Sequence, residues 1–424
     1  MSIKNSPCTR IHQGIVVALL VIVGWPIPGD AQTGQITHVH DPCIIKCEEY
    51  YYIFSTSDGI AIRRSASLSS WQFIGEVFDE IPDWGKQEIP GVRNIWAPDI
   101  YYHEGIYYLY YSLSTFGSNR SCIGLATNTT LDPNDPQYTW IDRGKVFESY
   151  RSDNYNAIDP NILMDAQGKI WMSFGSFWSG LKLVELNPDT WKPPENRRLY
   201  SIAGRSGGAI EAPFMISKNG YYYLFVSFDF CCRGVDSNYK IMVGRSENIT
   251  GPFTDKYKRT LLNGGGHLVL AGDDRWRGTG HCAVLQEENA DWLVYHAYDA
   301  QANGTPTLRI KQIYWDSEDW PVLNKPSPVD EESTLKTGET ILYQNYPNPM
   351  NSSTTMAFEL DDQYHVKLTI HTVLGQTLLT LINEPLPKGR YKVPIQTGTL
   401  SSGVYYYSLQ SDSFTETRKM VVLE

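Results

Sequence analysis

Trp96-Ala97-Pro98-Asp99, followed nine residues after its proline by the aromatic run Tyr107-Tyr108-Leu109-Tyr110-Tyr111, decides the fold, because the chain repeats the pattern. His40-Asp41-Pro42 precedes Tyr50 to Phe54, Ile158-Asp159-Pro160 precedes Ile170 to Phe174, and Glu211-Ala212-Pro213 precedes Tyr221 to Ser227. In all four cases the proline stands 8 to 10 residues ahead of its run. A fifth run, Trp292 to His296, lacks the proline but has Gly280-His281-Cys282 where it would stand. Each run is followed by a second strand-like segment: Ile60 to Arg63, Ile123 to Ala126, Leu181 to Val184, Ile241 to Gly244 and Leu308 to Ile310. Helical apolar periodicity is scarce, and turn signals such as Asn219-Gly220 and Asn303-Gly304 separate the strands. Five all-β units of roughly 60 residues predict an all-β chain built on a five-bladed β-propeller. Stacked β-sandwiches are the alternative that the pattern leaves open. In a propeller the innermost strand of each blade lines a central channel, so acids at one position of the repeat would open onto one end of it.

The chain has 424 residues, more than one small domain needs, and a formal net charge of −11. That balance argues against a nucleic-acid partner, which would want a basic face. The start is not fold. Lys4 and Arg10 precede an apolar stretch from Ile15 to Trp25 that is too short to span a bilayer, and Gly29-Asp30-Ala31 offers a small-residue cleavage site. Residues 1–31 therefore read as a signal peptide, and no later segment is long or apolar enough to cross a membrane. Export permits disulfides among the six cysteines left after Cys8 is removed, but no Cys/His spacing resembles a zinc site. A composition shift after Trp320-Pro321 ends the propeller domain (32–322) and opens a polar linker (323–340). Residues 341–424 read as a small β-sandwich, with strands at Thr354 to Phe358, His365 to His371, Gln376 to Leu381 and Val404 to Leu409.

Asp41 and Glu211 are the leading catalytic pair. Cleavage of a glycosidic bond needs one carboxylic acid to protonate the leaving oxygen and one carboxylate to activate water or attack carbon. A lone Asp-Pro is more often a turn opener than a catalyst, but several such motifs in one register point past turns to a shared site. Asp159, equivalent in position to Asp41, is a third acid whose charge would raise the pKa of the group that must stay protonated. Asp99 follows its proline and reads as structural. His281 shares the register and faces the channel on this reading, although a lone His is usually a satisfied polar residue. Trp178, in Gly175-Ser176-Phe177-Trp178-Ser179-Gly180, could stack on a sugar or fill a core, and Trp96 carries the same ambiguity. Phe228 to Gly234, containing adjacent Cys231 and Cys232, could be a substrate wall, a vicinal disulfide or a packed turn. The chain has no nucleophile elbow, phosphate loop or HExxH helix, which counts against esterase, kinase and zinc-protease readings.

From about residue 38 to 322 these motifs, together and in order, resemble glycoside hydrolase family 43, and within it the endo-arabinanases. The quoted set is His40-Asp41-Pro42, Asn94 to Asp99, Asn156 to Asn161, Ser176 to Gly180 and Ile210 to Phe214. The resemblance implies a five-bladed propeller and a one-step inverting hydrolysis, with Asp41 as general base, Glu211 as general acid and Asp159 tuning and orienting the acid. It implies substrate contacts at Asn156, Ala157, Ile158, Ser176, Phe177, Trp178 and Gly117. It also implies a calcium ion held near His281, largely through water, and no organic cofactor. Cys282 departs from the polar residue often found there. The C-terminal block resembles something else. Tyr343 to Pro349, Asn351, Val373-Leu374-Gly375 and Gly403 to Tyr407 are similar to the sorting domain of the type IX secretion system. A carbohydrate-binding module is the alternative, weakened by the block's lack of tryptophan. The expectation is thus a secreted or cell-surface monomeric endo-hydrolase of α-1,5-linked L-arabinan, the side chain of plant pectin, whose C-terminal domain engages secretion machinery. An exo-acting arabinofuranosidase or β-xylosidase on the same fold, and a non-catalytic carbohydrate-binding propeller, are the rivals.

Overall fold

A computed structural model describes residues 32–324, 340–345, 348–350, 353–396, 400–411 and 414–423. The expected signal peptide, most of the expected linker and the motif residues Tyr346, Pro347 and Asn351 lie outside the described residues. The chain divides into two compact units, Met1–Lys325 and Pro326–Glu424.

The described residues of the first unit form five sheets, antiparallel except for one short added strand, arranged as the repeat predicts. Each blade opens with a strand that contains its motif or begins just after it: Cys43–Cys47, Trp96–His103, Asn161–Met164, Ile210–Lys218 and Trp276–Gln286. Each aromatic run forms the second strand: Tyr50–Ser55, Ile106–Leu113, Ile170–Phe174, Tyr221–Phe228 and Asp291–Asp299. In every sheet the first strand lies at one edge and the aromatic strand pairs beside it. Successive first strands touch one another in a closed ring that returns from the fifth blade to the first. This makes them the inner wall of a five-bladed propeller.

The run chemistry follows from that position. A second strand is covered on both faces by neighbouring blades, so it reads as a continuous apolar run and not as an alternation. Tyr107, Tyr110 and Tyr111 are all fully buried. Fully burying an aromatic side chain is worth roughly 1.5–3 kcal/mol. The four motif prolines are also buried at the heads of first strands. A first strand has a free edge toward the channel, where a missing N–H leaves no ladder bond unmade.

Residues 32–39 close the ring without a covalent bond. Thr33–Gly34 pairs in parallel with the outer strand Ser70–Glu76 of the first blade. Ile36 then accepts at its carbonyl from Leu308 N–H at 2.8 Å, and Thr37 bridges Thr307 in the fifth blade.

The second unit holds a three-stranded sheet (Ile341–Leu342, Ser353–Leu360, Gly389–Gln396) and a four-stranded sheet (Tyr364–Thr372, Thr377–Leu386, Gly403–Gln410, Thr415–Val422). Met356, Phe358 and Leu360 of one sheet share a core with Val366, Leu368, Ile370, Tyr407 and Leu409 of the other. That is a small β-sandwich. Two of its strands, Gly389–Gln396 and Thr415–Val422, carry no clear sequence signal. The first contains Pro394 and tolerates it because the strand is at a sheet edge.

Candidate active site

One backbone feature recurs at the channel end of every blade. The residue at the motif's proline-minus-one position has a left-handed conformation: Asp41 (φ 51°), Ala97 (46°), Asp159 (57°), Ala212 (53°) and His281 (45°). Such a conformation costs a non-glycine residue on the order of 1–3 kcal/mol and persists only where its surroundings impose it. Here the imposing contact comes mainly from the preceding blade. Ala97 N–H donates to Thr56 Oγ1, Asp159 N–H to Ser112 Oγ and His281 N–H to Ser227 Oγ, each at 2.9 Å. Asp41 N–H donates to His296 Nδ1 at 3.1 Å, which closes the circle from the fifth blade to the first. The third blade has Gly175 and no hydroxyl at this point, and Ala212 N–H donates instead to Asp159 Oδ2 at 3.1 Å. Through these locks the five blades aim Asp41, Asp159, Glu211 and His281 at one end of the channel.

Asp41 is nearly buried and surrounded by histidines. Its Oδ1 lies 2.8 Å from His40 Nδ1 and 3.2 Å from His281 Nδ1, and its Oδ2 accepts from Thr56 Oγ1 at 2.7 Å. Burial alone would raise its pKa, but the His40 and His281 imidazoles overcome that and hold it well below the usual carboxylate range. His281 responds in kind. Burial would lower its pKa, yet the Asp41 carboxylate lifts it to about 9, so it is an imidazolium at neutral pH. Fully buried His296 is driven the other way by burial and by the neighbouring His40, and is neutral.

Glu211 accepts from Ser176 Oγ and Tyr239 Oη, both at 2.8 Å. Burial raises its pKa against the pull of those two hydroxyls. Burial also raises Asp159, and the nearby Glu211 charge adds to it. Both acids are thus shifted toward their protonated forms. Tyr239 reaches Glu211 because residue 280 is glycine. A Cβ there would lie 1.9 Å from the Tyr239 ring.

Glu211 and its partner Ser176 line a cleft of about 700 Å³. Trp96, Gly117, Asn156, Ile158, Ser176, Phe177 and Trp178, all expected to contact substrate, line it. Ala157 does not. Its N–H is taken by Ser149 Oγ at 2.9 Å and its methyl is fully buried among Phe147, Phe174 and Ile162. Ala157 lies in the irregular segment just before the strand Asn161–Met164, where the Ser149 bond fixes its backbone. Asp99 lies off the cleft and joins two blades, accepting from Ile162 N–H at 2.8 Å. Phe116 is 81% exposed and tilts against Trp96 at the rim, while Phe230 tilts against Phe177. Cys231 and Cys232 form a disulfide, and both line the cleft.

Sequence reading missed Thr56, Ser112, Ser227 and His296. A signal existed, since each is the polar residue that ends or follows an aromatic run. Tyr239 and Tyr298 carried none, because one tyrosine among 28 does not advertise its partner.

The donor set around His281 is poor for a dedicated calcium cage. Calcium takes six to eight oxygens. Near this histidine the chain offers three carboxylates already engaged and an imidazole already protonated. Among the described residues two three-donor groups share His40: one with Asp41 and His296, which has one carboxylate, and one with Cys231 and Cys232, whose sulfurs are joined in the disulfide. The first set fits an ion held mainly through its own water shell.

Comparison with known proteins adds the following. Residues 36–321 match the family model for glycosyl hydrolases family 43, and residues 344–423 match that for a secretion system C-terminal sorting domain. An extracellular exo-α-(1→5)-L-arabinofuranosidase of Cellvibrio japonicus is 45% identical over 300 residues, 68% of this chain and 86% of that protein. An extracellular endo-α-(1→5)-L-arabinanase of Bacillus subtilis is 45% identical over 290 residues, 67% of this chain and 87% of that protein. The solved Cellvibrio cellulosa α-L-arabinanase complexed with arabinohexaose is 43% identical, with a TM-score of 0.66 over 70% of this chain and 98% of that one.

Proposed function

The chain belongs to glycosyl hydrolases family 43, and on that premise we propose that it is an exported hydrolase that cuts α-1,5-linked L-arabinan within the chain by a single inverting displacement. One observation carries the reading: Asp41 is held ionised while Glu211, in the cleft wall, is shifted toward its protonated form. One group can then take a proton and the other can give one at the same pH.

Asp41 draws a proton from a water molecule as its oxygen attacks the anomeric carbon. The bond from that carbon to the leaving O5 breaks, and the Glu211 proton passes to the departing oxygen. The water's proton ends on Asp41, and exchange with solvent restores both acids. Ser176 and Tyr239 stabilise the Glu211 carboxylate that this step creates. Asp159 orients Glu211 through the backbone of Ala212. Its negative charge, whenever present, raises the affinity of Glu211 for its proton.

The two relatives at 45% identity are one exo and one endo enzyme, so kinship does not choose between them. The cleft favours internal cutting. At about 700 Å³ it holds more than one pentose ring, and aromatic pairs stand at Trp96–Phe116 and Phe177–Phe230 for stacking on successive units. On debranched linear arabinan, early products are expected to be a ladder of oligomers with a fast fall in viscosity. A single short product from the first minutes would mean exo action.

Calcium, held near His281 largely by water, would supply a positive charge beside the carboxylates. If it does, chelation lowers the melting temperature and added calcium restores it at a fixed ligand concentration. A melting temperature indifferent to both would remove the ion from the account. Export through the type IX system rests on the sorting-domain match and on the extracellular relatives. Among the described residues no helix is long and apolar enough to cross a membrane.

A further inference from the structure

The turn that carries the Cys231–Cys232 disulfide lines the cleft. It also reaches behind the cleft floor. Cys232 N–H donates to Tyr298 Oη at 2.8 Å, and Tyr298 Oη lies 2.7 Å from His40 Nε2. His40 Nδ1 in turn lies 2.8 Å from Asp41 Oδ1. Cys232 N–H takes one lone pair of Tyr298 Oη and leaves the phenolic proton free, and the inference directs that proton to His40 Nε2. His40 is then left with its proton on Nδ1, aimed at Asp41. His40 also stacks on His296 at 4.0 Å, and that ring is fully buried and accepts the Asp41 N–H. The ring plane of His40 is thus fixed by packing, and its tautomer by Tyr298.

We propose that Tyr298, seated by the Cys231–Cys232 turn, is a positioning residue that fixes the tautomer of His40 and through it the orientation of Asp41. The inference rests on the reading of Asp41 as the base. It goes further in assigning a task to three groups outside the reaction: the disulfide turn, Tyr298 and His40. The disulfide's part is geometric. It locks adjacent residues into one ring, so the Cys232 N–H keeps its aim at Tyr298 while the same turn meets substrate. Because Tyr298 is nearly buried and keeps its ring in Tyr298→Phe, that variant removes the hydroxyl without opening a cavity.

The test uses the full chain. In histidine-labelled protein, ¹⁵N spectra are expected to show His40 protonated at Nδ1 and bare at Nε2 in the parent, and a mixture of tautomers in Tyr298→Phe. On linear arabinan, kcat of Tyr298→Phe should fall about 10- to 100-fold with KM within about twofold. The paired substitution Cys231→Ser with Cys232→Ser should lower kcat by a smaller factor and raise KM, since the turn both aims Tyr298 and lines the cleft. A Tyr298→Phe enzyme with unchanged kcat, or one whose His40 keeps the Nδ1 tautomer, overturns the inference. Asp41→Asn is run alongside. If it retains turnover, the reading of Asp41 as base fails and the inference with it. If it is inactive while Tyr298→Phe is normal, only the inference fails.

Discussion

Asp41→Asn is expected to lower kcat on linear arabinan by about 10³- to 10⁴-fold, while KM changes little. Asparagine keeps the shape and can still accept from Thr56 Oγ1, whose bond to Asp41 is 2.7 Å in the native site. It cannot take a proton from water. The same change alters stability with a defined pH window. The folded pKa of Asp41 is depressed, so its stabilising contribution is present above the ordinary carboxyl value and is lost as pH falls through the lowered one. The folded pKa of His281 is raised to about 9, so its contribution is complete below the ordinary imidazole value and is lost as pH rises through 9. The ion pair therefore contributes most between roughly pH 4 and 6.5 and fades toward pH 9. The melting-temperature difference between parent and variant should follow that profile. A variant with full kcat would remove Asp41 as the base. A melting-temperature difference that is flat from pH 5 to pH 10 would contradict the ion pair with His281.

Glu211→Gln is expected to cost about 10²- to 10⁴-fold on arabinan, where the leaving group is a sugar alkoxide that must be protonated. On an aryl α-L-arabinofuranoside with a nitrophenolate leaving group the loss should shrink to about tenfold or less, because a stable phenolate departs without an acid. An equal loss on both substrates would place Glu211 outside the acid role. The pH profile gives an independent reading. Burial raises the pKa of Glu211, so activity of the parent should fall only above the ordinary carboxyl range, as the proton is lost. That alkaline limb should vanish in Glu211→Gln. In Asp159→Asn it should move little at pH values below about 8, because burial and the Glu211 charge lift the Asp159 pKa to about 8 and leave that residue uncharged there. A limb that survives Glu211→Gln unchanged would belong to another group.

Much of this was legible before the fold was known, for reasons that can be stated residue by residue. The aromatic runs were readable because second strands are covered on both faces and must be apolar throughout. The motif positions were readable because Asp41, Asp159 and Glu211 stand at nearly one register against prolines that mark the free inner edge. What stayed hidden is what the register does not encode. Glu211 sits one residue ahead of the left-handed position that Asp41 and Asp159 occupy, and only the backbone explains why all three still converge. Tyr239 and Tyr298 act from the fourth blade's loop and the fifth blade's second strand, and their partners lie 28 and 258 residues away in sequence. Ala157 was expected at the substrate because the family resemblance implies a contact there, yet its methyl packs into the core. Cys231 and Cys232 offered three readings to the sequence, and the folded chain joins two of them, a vicinal disulfide and a wall of the cleft.

The central claim is that Asp41 and Glu211 complete hydrolysis in one displacement, with water arriving opposite the leaving oxygen. The most direct test is the configuration of the new reducing end, read by ¹H NMR within the first moments of hydrolysis of linear α-1,5-arabinan and before mutarotation. The account predicts that the β-anomer forms first and then equilibrates. If the α-anomer forms first, configuration has been retained, a covalent intermediate is required, and the account is wrong.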